Sequence, residues 1–177
     1  MQTLTQLFAS FDDVPQAGVV NGVPIACTDV EIIEGLLPTA AEALTFMRAG
    51  KATVTLRSKK TQARYTYKIS KSEDGAVFFI GLMNGPDNER AFSYMGYIRR
   101  DVYFHGGSKS KAGGRDTPSN KAFAWAWEAL MKDHMPATME IWHEGRCGMC
   151  NRKLTVPSSI RSGIGPDCAT RMVIHGS

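Results

Sequence analysis

No apolar run in this chain approaches the ~20 residues of a membrane-crossing helix. Its N-terminus, Met-Gln-Thr-Leu-Thr, lacks the basic start and apolar core of a signal peptide. A cytosolic protein is therefore expected. There is no Gly-x-x-x-x-Gly-Lys-Ser/Thr, so the glycine-rich stretch 105–116 is not a phosphate-cradling loop. Neither a Ser/His/Asp set nor a carboxylate cluster stands out, which leaves hydrolytic chemistry without machinery. Asp87 and Glu89 lie in turn-forming sequence, where solvation accounts for them. No internal repeat or long linker is visible, and 177 residues suffice for one domain, or one domain with a small appendage.

Acidic residues are missing where basic ones gather. Between Lys51 and Lys71 lie seven Lys/Arg and no Asp/Glu. Residues 1–50 are the reverse, with six acidic residues against Arg48 alone. The modest overall charge of +4 thus hides an acidic N-terminal part and a basic remainder. Such asymmetry speaks to partners and not to fold. It suits an anionic partner, and it is equally what a solvated basic face looks like.

Cysteine is scarce and clustered: three of the four fall within Cys147–Cys168. The stretch reads His143-Glu-Gly-Arg-Cys147-Gly-Met-Cys150, then Gly163-Ile-Gly-Pro-Asp-Cys168. Cys-x-x-Cys lets a tight turn aim two thiolates at one metal, and zinc takes four thiolate or imidazole ligands tetrahedrally. Asn151 follows directly and tolerates the left-handed backbone such a turn needs. Residues 169–174 suit a short helix, placing Cys168 at its start, where the dipole favours a thiolate. His143 is the expected fourth ligand, with Cys27, His175, Asp167 and water as rivals. The alternative, a redox pair plus a buried thiol, expects a helix right after the Cys-x-x-Cys. Arg152-Lys-Leu-Thr-Val-Pro157 reads instead as extended chain and turn. One structural Zn2+ is expected, and clustered thiols in a reducing compartment favour metal over disulfide.

Along the chain, Leu4, Leu7, Phe8 and Phe11 suit a short amphipathic helix. Residues 16–27 are punctuated by Gly and Pro, and Cys27 reads as a small core residue. Thr28–Glu31 and Thr39–Glu42 both match the capping box, predicting helices near 29–36 and 40–49, with Gly50 as a stop. The period then changes to two. Strands are expected at 53–57, 64–69, 76–82, 92–98 and 102–104, joined by turn sequence, as an antiparallel meander. Thr117 with Pro118 predicts a helix to about His134, with Phe123, Trp127, Leu130 and His134 as its buried stripe. Trp125 points away from that stripe, with Lys121 placed to lie over it. Residues 138–142 suit a strand delivering His143. The fold class is α+β: a meander with packed helices plus a small C-terminal zinc-binding element. The expected divisions are an acidic helical segment (1–50), a sheet-plus-helix body (51–137), and a zinc element docked on the body (138–175).

The stretch from Trp142 through Ser158-Ser-Ile160 to Cys168 resembles a small zinc-finger-like family of unknown function. That family is common in bacteriophage proteins and also occurs beside helicase-like domains. Its usual pattern is Cys-Gly-x-Cys-Gly-Arg-x-Leu-Thr followed by Gly-Ile-Gly-Pro-x-Cys. This chain departs from it at Asn151, where Gly is usual. Arg64-Tyr-Thr-Tyr-Lys68, Asn84–Glu89, Gly96-Tyr-Ile98 and Phe123-Ala-Trp-Ala-Trp127 look like the body often joined to that finger in phage proteins. The resemblance implies a metal-binding finger and a phage origin, hence the cytoplasm of a bacterial host. It implies no reaction.

Three functions remain open. The first is non-enzymatic nucleic-acid binding. Arg57, Lys59, Lys60, Arg64, Lys68, Lys109, Lys111, Arg115 and Arg161 would track phosphates, and Tyr94, Tyr97 or Trp125 would stack on bases. No sequence-reading helix is evident, so base specificity is not expected. The second is a phage inhibitor that blocks a host defence protein, of anti-CRISPR or anti-restriction type, by protein contact. The third is an enzyme. A zinc deaminase needs His-x-Glu and an open fourth position, whereas here Glu144 adjoins His143 and a third Cys is available to close the site.

Overall fold

The computed structural model describes residues 35–87, 90–155 and 157–174. The expected helix over 3–11, the irregular stretch 16–27, Cys27 and His175 lie outside the described residues. All that is described belongs to one compact unit, residues 33–177.

The period-two stretches form six antiparallel strands: β1 (Lys51–Ser58), β2 (Arg64–Lys71), β3 (Val77–Met83), β4 (Phe92–Arg99), β5 (Val102–His105) and β6 (Met139–His143). Their order is β5-β4-β3-β2-β1-β6. The first five make the expected meander. β6 arrives from the far edge of the sheet and pairs with β1, Leu56 opposite Ile141. The chain makes that crossing through helix α2 (Pro118–Met131). Fourteen residues of helix span about 21 Å, close to the ~24 Å across six strands. α2 packs against β5, and α1 (Ala40–Met47) against β1, so the two helices share the cover of one face.

Alternation sends Val54, Leu56, Tyr67, Ile69, Ile80, Leu82 and Ile98 to that roofed face, where all are buried. Phe123 of α2 is fully enclosed there, its ring 4.9 Å from Tyr67 and 5.0 Å from Tyr103. Each such ring contributes roughly 1.5–3 kcal/mol through burial. The polar tips are satisfied. Tyr67 donates to the Ser119 carbonyl at 2.7 Å, and Tyr103 to Asn120 Oδ1 at 2.6 Å.

Helix α1 (Ala40–Met47) begins at the expected capping box, with Thr39 and Glu42 exchanging hydrogen bonds. Its Ala43, Phe46 and Met47 are buried in the same core. Of the helix expected over 29–36, residues 29–34 lie outside the described residues, and Gly35 and Leu36 are not helical. Gly35 has a φ of +87°, and Leu36 bridges Trp142. Leu37 donates to the Ile141 carbonyl, and His143 to that of Gly35. This short extended segment covers the outer edge of β6, an edge otherwise open to pairing with another chain.

Helix α2 ends earlier than its periodicity suggests. Asp133 turns left-handed at φ +54°, and His134 is exposed instead of buried. Trp125 is half-buried against the core. Lys121 ion-pairs with Asp116 at 3.3 Å. No helix among the described residues is long and apolar enough to cross a membrane.

Candidate metal centre

The Cys-x-x-Cys turn sits in a small loop of backbone hydrogen bonds. Cys147 donates to the Arg152 carbonyl, Asn151 to that of Cys147, and Leu154 to that of Gly145. Asn151 adopts the left-handed conformation its side chain tolerates, at φ +63°. The chain continues through α3 (Pro157–Ser162) and α4 (Pro166–Ile174). α4 carries Cys168 in its first turn.

The ligand atoms of Cys147, Cys150 and Cys168 lie within 4.8 Å of one another. A tetrahedral site with ~2.3 Å metal–sulfur bonds needs sulfurs about 3.8 Å apart. The observed spacing is of that order, so the three sulfurs could hold one ion.

The electrostatics point the same way. Burial alone would push the Cys147 thiol up. The backbone N–H groups of Gly165, Cys150 and Met149 reverse that and hold it down at about 7. Gly165 N–H lies 3.3 Å from the sulfur. Cys168 moves the opposite way, pushed up to about 11 by burial and by its two sulfur neighbours. One thiolate is therefore favoured on Cys147, and a cation would be needed to hold all three.

His143 does not join this group. It ends β6, opposite Val54. Its Nδ1 accepts from the Gly145 backbone N–H at 3.1 Å, so in the neutral ring Nε2 carries the proton. That Nε2 is buried without a hydrogen-bond partner among the described residues. The ring packs on Phe46 at 5.1 Å between centroids, and burial holds its pKa below the ordinary value. Asp167 is exposed and also outside the group.

Phe46 gives the metal segment its seat, and sequence reasoning missed it. A Cβ at Gly163 would come within 2.3 Å of the Phe46 ring, and one at Gly148 within 3.0 Å. Both glycines are required so that the segment's backbone can lie flat against this ring. Gly163, at φ +71°, is needed for its conformation as well. Gly148 N–H donates to the Gly163 carbonyl, and Lys51 N–H of β1 donates to that of Gly148. Glycine at both motif positions was the signal available.

This segment is similar to a family of unknown function. The model of that family, DUF6011, matches residues 139–173. The chain matches no curated protein and no solved structure. The DUF6011-like segment takes in β6 as well as the thiol cluster, so it begins inside the sheet and is not an appendage hung from it.

The expected phosphate-tracking residues divide into groups. The register sets Arg57 opposite Arg64, Thr55 opposite Thr66, and Thr53 opposite Lys68, on one face of β1 and β2. Glu140 of β6 partly neutralises this corner, lying 3.3 Å from Arg57 and 3.8 Å from Lys59. Arg64 is exposed, and Lys68 lies over the Phe92 ring at 5.5 Å. Lys60 is exposed in the β1–β2 turn. Lys109, Lys111 and Arg115 are exposed on the loop after β5, and Arg161 on α3 beside the thiol cluster. These cations are distributed over the β1–β2 corner, the loop after β5 and α3.

Proposed function

We propose that this is a non-enzymatic zinc-binding protein that engages nucleic acid through the basic side of β1 and β2 and the loop 105–116. The observation that carries the metal half is the convergence of three sulfurs from two segments around one point. Zinc is favoured because thiolate-rich sites are its usual structural setting. The fourth ligand comes from solvent or from a residue other than His143. The metal's role is to hold α4 against the Cys-x-x-Cys turn and so keep the segment on its Phe46 seat.

The nucleic-acid half is supported by the run of cations without carboxylates over β1 and β2 and by the Arg57/Arg64 and Thr53/Lys68 register. Phosphate tracking needs nothing more elaborate. Metal content by elemental analysis tests the first half. One zinc per chain is expected in wild type and in His143→Ala, and none in Cys147→Ser. Binding to single- and double-stranded DNA and RNA over a range of salt tests the second. Affinity should fall steeply with salt, and no binding even at low salt refutes it. The resemblance to phage proteins makes the setting an infected bacterial cell.

A further inference from the structure

The sheet has a second face, opposite the helices. Phe79, Gly81 and Met83 of β3 point there, because Ile80 and Leu82 point into the core. Phe104 pairs with Tyr97, and Tyr97 with Phe79, so three rings form one row across β5, β4 and β3. Tyr97 and Phe104 are stacked at 5.3 Å, and Tyr94 meets Phe79 edge-on at 6.5 Å. Phe79 and Phe104 are 47% and 44% exposed. Two open phenylalanines flanking a tyrosine in one row are costly to solvate and uncommon on a surface with nothing to meet.

The rings are also held in place. Tyr94 lies against Gly106, where a Cβ would come within 2.6 Å of the ring. Lys111 N–H donates to the Tyr94 carbonyl, bringing the basic loop to the edge of β4 just past the end of β5. On the other side Lys68 stands in line with Gly81 and Tyr94, so a position without a side chain separates a cation from a ring. Strands β2, β3, β4 and β5 contain no Asp or Glu at all. The face is aromatic at its centre, cationic at its rims and free of strand carboxylates.

We infer that this face binds single-stranded nucleic acid, with bases stacked on Phe79, Tyr97 and Phe104 and phosphates drawn to Lys68, Arg64 and the loop lysines. A duplex keeps its bases stacked on one another and cannot offer them to a row of rings, whereas a single strand can. An acidic protein would satisfy the cations and leave the rings unused. The inference rests on the nucleic-acid reading above and narrows it to one strand state and one set of residues.

The test uses the full-length chain and fluorescence anisotropy with a labelled oligothymidylate, an oligouridylate of equal length and a duplex, at low and high salt. Single strands should bind more tightly than the duplex. Phe79→Ala and Phe104→Ala should each weaken single-strand binding about tenfold and leave the salt slope unchanged. Phe79→Leu and Phe104→Leu keep the apolar bulk without a π-face and should lose as much, even if an alanine variant folds poorly. Lys68→Ala should instead flatten the salt slope by about one. Undiminished binding by the leucine variants, or equal affinity for duplex, overturns the inference and leaves the basic-surface reading standing. Absence of any binding at low salt removes both. If sedimentation finds that wild type self-associates and Phe104→Leu does not, with oligonucleotide affinity unchanged, the face is a contact between copies and the inference fails.

Discussion

The sheet body and the thiol segment are built on different physics. The body is held by apolar burial. Tyr67, Phe123, Ile80 and Leu130 lie between the sheet and its helices, with the Tyr67 hydroxyl paired to the Ser119 carbonyl. From Glu144 onward the chain buries little: Cys147, Leu154, Ile164 and Cys168 are its buried apolar residues among those described. Backbone hydrogen bonds and two glycines shape it, and three thiols wait on a charge they cannot supply. The contrast teaches that the first region can fold by excluding water, while the second needs a cation and a surface to lie on. Phe46 belongs to both, as a buried core residue of α1 whose ring is also the seat for Gly148 and Gly163.

Removing the metal should separate the regions most sharply. Structural zinc in small thiolate sites contributes on the order of 10–16 kcal/mol. A chelator, or Cys147→Ser, should expose the amides of residues 144–174 to hydrogen exchange and leave β2 and β3 protected. Equal loss of protection in both regions would show that they fold as one.

Phe46→Ala should reach both at once. A buried Phe→Ala change costs about 3–5 kcal/mol, so thermal unfolding of the body should drop by several degrees or more and zinc affinity should fall with it. Gly163→Ala is the selective version. Its added methyl meets the ring, and its φ of +71° is strained for alanine. Zinc affinity should suffer well before body stability does, as competition with a chromophoric chelator would measure.

Acid should act on the sheet side of the junction. Burial lowers the pKa of His143 in the fold, opposed by the Ile160 backbone. A lowered folded pKa gives stability that is present above the ordinary imidazole value, about 6.5, and lost as pH falls through the folded value. Relative to His143→Phe, wild type should therefore lose ground in urea titrations below about pH 6.5. A constant gap would mean that the ring already titrates normally.

The smallest effect lies far from the thiols, in the β4–β5 hairpin. Its two loop residues, Arg100 and Asp101, have φ of +50° and +62°. The strain is accepted because Trp127 Nε1 donates to the Asp101 carbonyl at 2.9 Å and Arg48 reaches its carboxylate at 2.6 Å. Arg100→Asn suits the left-handed turn better. It should raise body stability by about 0.5–1 kcal/mol, with no change in zinc binding.

Period-two alternation was enough to place the five meander strands. The Thr39–Glu42 capping box located α1, and Asn151 foretold the left-handed turn after Cys150. These features were legible because each depends on residues a few positions apart. α2 ran three residues short of its pattern because Asp133 reverses the chain, a choice its periodicity could not show. Leu36 looked helical and is extended, since β6, a hundred residues away, offers it a free edge.

The sequence by itself determined which atoms could bind a metal, where strands and turns begin, and where charge collects, since spacing and residue chemistry set all of these locally. Only the tertiary structure set the His143 ring on Phe46, with Nδ1 accepting from the Gly145 N–H. It alone put the Cys-x-x-Cys turn on a helix more than a hundred residues earlier and lined up Phe79, Tyr97 and Phe104 on one face. Such contacts are settled by strand register and by which ring fills which gap, and both depend on distant parts of the chain meeting.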